Sequence, residues 1–151
     1  MLRLSKLTDY ATVLLAYMAK TNSHLHTAVE LSEATAIHLP TVSKVMKVLS
    51  KAGVVYATRG SKGGYQLAQG PEQITVASII GALEGPVAIT ECSSQTHDCE
   101  QASACEIKGN WGVVNRAIVN VLESITLADM MVTQQEYSSA EIQVSWQGLS
   151  R

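Results

Sequence analysis

Apolar positions in the N-terminal half recur at helical spacing. Between Ser5 and Lys20, residues Leu7, Tyr10, Ala11, Leu14 and Met18 lie three and four apart, which predicts a helix. Thr27-Ala-Val-Glu30 has the form of a capping box, in which the Thr hydroxyl takes the N–H three residues on and the Glu carboxylate reaches back. It opens a short helix running to about Ala34. A second short helix follows, with Pro40 in its first turn and Lys51-Ala-Gly53 closing it. The tight connection "TAIHLP" makes the pair a helix-turn-helix candidate.

After Gly53 the period changes. Val54–Thr58 reads as a strand, "RGSKGG" as a Gly-rich turn and Tyr65-Gln-Leu67 as the start of a return strand, so a wing follows the second helix. Ile74-Thr75 opens another helix, with Thr75 as its cap and Ile74 stapled onto Ile79, and Gly85-Pro86 ends it. Further on, Trp111, Val114, Ile118, Val121, Ile125 and Ala128 are spaced 3, 4, 3, 4, 3. That is the seam of one helix of about 20 residues facing a partner helix, and it predicts homodimerisation. From Thr133 no period is sustained, as in a loose tail. The expected fold is mainly α (α+β). A winged helix-turn-helix domain over 1–86 leads to a cysteine loop over 87–109, a dimerisation helix over 110–132 and a tail over 133–151.

Composition sets the frame for this pattern. A chain of 151 residues with 46% hydrophobic residues supports one domain with a real core. The opening "MLRLSKLTDYA" lacks the form of a secretory signal, and the longest apolar run is too short for a membrane span. Three cysteines cannot pair completely, which suits a reducing compartment, so a cytoplasmic chain is expected.

The net charge of −2 is unevenly spread. Between Ala34 and Pro71 there is no Asp or Glu, yet Lys44, Lys47, Lys51, Arg59 and Lys62 fall there, leaving 6 basic and 13 acidic residues elsewhere. A basic block in an otherwise acidic chain is an electrostatic footprint for phosphate backbone. In a helix-turn-helix the second helix enters the major groove of double-stranded DNA, and here its N-terminal end is Pro40-Thr41-Val42-Ser43-Lys44. Thr41 and Ser43 can bond base edges, and a Thr41 or Val42 methyl can meet a thymine methyl. Lys44, Lys47 and Lys51 suit phosphates. At the wing tip, Arg59 beside Gly60, with Lys62 close by, suits a narrow minor groove. A protein of this kind binds its operator as a dimer on a pseudo-palindromic site.

Cys92, Cys99 and Cys105 are the only cysteines, with six and five residues between them, among Ser, Gln, Thr, Asp and Glu. Packing does not explain thiols in so polar a segment. Structural zinc sites favour closely spaced CxxC pairs, whereas wide loop-borne spacing suits an iron–sulfur cluster, and a metal-free thiol group is the third reading.

"LTDYA" in the first helix, "TRGSKGGY" in the wing and Cys92…Cys99…Cys105 before the last helix resemble the IscR/NsrR-type iron–sulfur transcriptional regulators, over about residues 1–132. "LESITLADMM" and the opening "MLRLSKLTDYA" are similar to the proteobacterial regulators of SUF cluster assembly. The resemblance implies a dimeric winged-helix repressor with one cluster per subunit, 2Fe–2S or 4Fe–4S, and DNA affinity that depends on it. In one branch the fourth ligand is a histidine at the place of Lys108. In the nitric-oxide-sensing branch it is an aspartate of the partner's first helix, the place of Asp9; His97 and Glu106 are local alternatives. The expected function is regulation of cluster-assembly genes, with nitric-oxide sensing as the alternative reading and a zinc- or cluster-containing redox or carrier protein as the one from another class. No nucleophile–base pair or phosphate loop points to an enzyme.

Overall fold

Ser5 starts the first helix, because its Oγ accepts the amide hydrogen of Thr8 at 3.3 Å. Helix α1 (Lys6–Lys20) then buries Thr8, Ala11, Leu14, Leu15 and Met18 along one face. The computed structural model describes residues 3–21, 25–60, 62–93, 105, 107 and 110–132.

Thr27 caps α2 (Ala28–Thr35) by accepting from Glu30 N at 3.1 Å, which is one arm of the expected capping box. The helix ends on Ala36, held at φ 56°, a left-handed conformation that costs a non-glycine residue energy. This reversal turns the chain sharply into α3 (Leu39–Lys51), which carries Pro40 in its first turn and buries Val42, Val45, Met46 and Leu49. Strands β1 (Val55–Thr58) and β2 (Gly64–Leu67) pair antiparallel, with Val55 opposite Leu67 and Thr58 opposite Gly64. On the other edge of β2, His26 forms an isolated antiparallel bridge through two backbone bonds with Tyr65. Helix α4 (Val76–Glu84) begins at Thr75, whose side chain accepts from Ser78 N.

The C-terminal part departs from the single helix expected over 110–132. Helix α5 covers Asn110–Ser124 and a separate helix α6 covers Leu127–Met131. Between them Thr126 forms a full capping box with Asp129, so the sequence Thr126-Leu-Ala-Asp129 starts a new helix inside the supposed seam. Ile125 O accepts from Val76 N at 2.9 Å, Leu127 N donates to Ile74 O at 2.7 Å, and Ala128 N donates to Pro71 O at 3.1 Å. Ile125 and Ala128 therefore belong to a joint with the N-terminal domain rather than to a seam. Leu127 is fully buried in the same core as Leu14 and Met46. Burying a leucine in this way stabilises by about 2 kcal/mol.

Glu84 closes the domain at its opposite end. Its carboxylate accepts from Ser5 N at 2.8 Å and from the Thr8 hydroxyl, placing an anion at the N-terminus of α1. The Thr8 hydroxyl, and then the Ser5 amide, hold the Glu84 carboxyl below the usual glutamate range. A depressed carboxyl stabilises the fold above its unfolded-state value and loses that contribution as pH falls through the folded value. Glu84→Gln is therefore expected to lower Tm by about 1–3 °C at about pH 7, the size of a solvent-screened pair, with the difference shrinking as pH falls below the usual glutamate range. Thermal denaturation of both proteins as pH falls checks the converging curves.

Candidate nucleic-acid interface and cysteine segment

The phase of α3 sorts its residues into two faces. Val42, Val45, Met46 and Leu49 point inward, while Pro40, Ser43, Lys44, Lys47 and Lys51 are exposed and Thr41 is half-buried. By sequence position Val42 groups with the base-contacting residues. The structure corrects this: Val42 is 0% exposed, and its methyls pack in the core where no thymine can reach them. His38, immediately ahead of α3, was not singled out from sequence. It is exposed and its side chain makes no capping bond, while its carbonyl accepts from Thr41 N and Val42 N. Its only sequence signal was its place before Leu39-Pro40.

The wing follows directly from α3. Arg59, Gly60 and Lys62 are exposed at its tip. Gly60 sits at φ 118°, which a side chain rarely adopts, and Gly63 N closes the turn onto Gly60 O at 2.9 Å. A Cβ on Gly63 would meet Thr58 O at 2.2 Å, so this turn requires glycine. No carboxylate lies anywhere between Ala34 and Pro71, so nothing in this stretch offsets Lys44, Lys47, Lys51, Arg59 and Lys62. The surface formed by α3 and the wing can accept a polyanion.

The segment that enters the cysteine region is tied to α5 by one side chain. Asn115, buried on α5, accepts from Ile89 N at 3.1 Å through Oδ1 and donates to Val87 O at 3.0 Å through Nδ2. The two bonds satisfy both ends of the amide and fasten 87–89 to the helix. Beyond it Thr90 and Ser93 lock a single 3₁₀ turn over Glu91–Ser93 that carries Cys92 and packs against α5. Cys105 is half-buried with a free thiol. Asp9 is exposed in the first turn of α1, its amide donated to Ser5 O at 3.3 Å. Cys99, His97, Glu106 and Lys108 lie outside the described residues, as does the tail over 133–151. Among the described residues no three His, Cys, Asp or Glu side chains converge. In kind, the donor set suits iron–sulfur ligation: a free thiol at Cys105, a cysteine in a braced turn, and an exposed carboxylate at Asp9.

Helix α5 presents the rest of the expected seam to solvent. Trp111, Val114 and Val121 are 41%, 44% and 37% exposed, Val113 is exposed beside them and Ile118 is half-buried. The one buried residue of this helix is Asn115, a polar one. Among the described residues, no helix is long and apolar enough to cross a membrane.

The comparisons agree with this architecture. The family model for Rrf2, described as an iron-dependent transcriptional regulator, matches residues 4–133. The protein rrf2 of Nitratidesulfovibrio vulgaris is 31% identical over 131 residues, 86% of this chain and 87% of that one. The transcriptional regulator NsrR of Shouchella clausii is 28% identical over 137 residues, 89% and 92% of the two chains. Among solved structures, T. potens IscR superposes with a TM-score of 0.64 at 30% identity, covering 93% of each chain. CymR, the global cysteine regulator of B. subtilis, gives a TM-score of 0.64 at 28% identity over 87% of this chain and 97% of its own. These relatives are regulators of transcription rather than enzymes, and with the winged helix-turn-helix built above, the chain belongs to the Rrf2 family of transcriptional regulators.

Proposed function

We propose that this regulator is a homodimeric repressor of iron–sulfur cluster-assembly genes, and that its operator affinity is set by an iron–sulfur cluster held on Cys92, Cys99 and Cys105. The observation that carries the DNA-binding part is the outward face of α3, where Ser43, Lys44, Lys47 and Lys51 are exposed with no carboxylate nearby in sequence. Thr41, Ser43 and Pro40 approach base edges in the major groove; Lys44, Lys47 and Lys51 take phosphates; Arg59, Gly60 and Lys62 carry the wing to the adjacent minor groove.

Dimerisation is supported by the unburied apolar stripe of α5. Trp111, Val114, Ile118 and Val121 gain a dry environment only from another surface, and a second copy offers the same stripe. Two copies joined there set the separation of their α3 helices, which must match half-sites about 34–36 Å apart.

When bound, the cluster supplies an oxidisable iron centre ligated by thiolates. The chain's own part is mechanical. Asn115 fastens 87–89 to α5, so ordering the cysteine segment braces the base of the dimer helix, and releasing it frees that helix to shift. Small changes in half-site spacing are enough to weaken operator binding. Target genes in cluster assembly are supported by the resemblance of "LESITLADMM" to the SUF regulators. Asp9, an exposed carboxylate in the first turn of α1, is available as a fourth ligand to a partner subunit and favours nitric-oxide sensing as a second reading of the signal.

On a duplex selected from a random library by the wild-type protein, Lys44→Ala and Lys47→Ala are each expected to lower the slope of log K against log salt by about 0.9. An unchanged slope in both variants would contradict the placement of α3. Anaerobic purification is expected to give a brown protein with broad visible absorption that is lost in Cys92→Ser and Cys105→Ser. A colourless wild type would remove the cluster from the account, and a spectrum and cluster lifetime unchanged in Asp9→Ala would remove Asp9 as a ligand.

A further inference from the structure

We infer that His26 is a positioning residue that fixes the wing against the helix-turn-helix, so that Arg59 and Lys62 engage DNA together with α3. The inference rests on the DNA-binding reading above and assigns a role to a residue outside the interface.

His26 is only 1% exposed, and it joins three elements. Its backbone N donates to Tyr65 O at 2.9 Å and its carbonyl accepts from Tyr65 N at 2.8 Å, which ties it to β2. Nδ1 lies 2.8 Å from Glu30 Oε1 in the first turn of α2. The ring edge meets Tyr17 of α1 at a centroid distance of 5.8 Å and an angle of 69°, and Nε2 is 3.4 Å from Thr21 Oγ1 at the end of the same helix. The joint is tight: a Cβ on Gly64 would come within 2.8 Å of the His26 carbonyl oxygen.

A two-stranded hairpin has little rigidity of its own, so its direction is set by what holds its base. Apolar packing of Val55 and Leu67 buries the base but tolerates rotation. A hydrogen bond from a buried ring to a carboxylate fixes an angle. Burying an imidazole costs free energy unless both its nitrogens are served, and an aliphatic side chain could fill this volume at lower cost. What the imidazole adds is direction. Tyr65 pairs with Ala57, and Arg59 lies two residues beyond Ala57, about 7 Å farther along the strand, so a tilt at the bridge is carried to the basic tip.

The test is a double-mutant cycle on the same selected duplex at fixed salt, using the full chain. In the wild-type background, Arg59→Ala combined with Lys62→Ala is expected to weaken binding by about tenfold and to lower the salt slope by about 2. In His26→Leu, which cannot bond Glu30, the same pair is expected to weaken binding less than about twofold, because the wing has already left the minor groove. His26→Asn, whose side-chain amide nitrogen takes the place of Nδ1 and can still donate to Glu30, is expected to restore part of the wing's effect. Circular dichroism confirms that each variant is folded. Glu30→Ala removes the acceptor from a half-buried helix position and is expected to reproduce the loss of coupling if His26→Leu does not fold. Equal wing effects in the His26 or Glu30 variants and in the wild type would overturn the positioning role while leaving DNA binding by α3 intact. No wing effect in the wild type would overturn both this role and the wing's part in the interface.

Discussion

Two backbone hydrogen bonds hold this architecture in its particular form: Val76 N to Ile125 O and Leu127 N to Ile74 O. They join the start of α4 to the break between α5 and α6 as a short antiparallel bridge between Thr75 and Thr126. Because of that bridge Leu127 enters the N-terminal core, and α6 becomes part of the winged-helix body. Helix α5 is then fixed at its far end by the joint and along its length by Asn115, and its apolar side faces outward. The outward apolar side of α5 and the exposed face of α3 are thereby joined through rigid elements rather than through a linker.

Most of the N-terminal domain was legible in the sequence because its elements are punctuated locally. Thr27 and Thr75 cap helices as expected, Pro40 and Gly85 mark ends, and the Gly-rich wing turn forms where "RGSKGG" predicts it. The failures have physical causes. Val42 was assigned to DNA because it stands beside Thr41 and Ser43; helical phase turns it 100° away from them and into the core. The seam was extended through Ile125 and Ala128 because its spacing is regular, and a local cap at Thr126 overrode that regularity. His26 carried no signal at all. Its role depends on Tyr65 and Tyr17, which only the fold brings to it.

The cysteine region was legible as chemistry but not as geometry. Three thiols in a polar segment point to a ligand, while their mutual arrangement depends on backbone that no local rule specifies. What the structure adds is the mechanical context. The segment leaves α4 just after Glu84, which anchors the start of α1, and it is fastened to α5 by Asn115. Residues 87–93 thus lie between the domain that carries α3 and the helix with the exposed apolar side, the position from which the proposed cluster would act.

In the proposed dimer, two copies of α3, spaced by paired α5 helices, read one operator. Hydroxyl-radical footprinting of the holo-protein on a duplex selected by it from a random library tests this most directly. The account predicts two protected patches on one face of the duplex, related by a two-fold axis and separated by a whole number of helical turns of about 10 base pairs. A single protected patch would contradict it, as would two patches out of phase with the helical repeat.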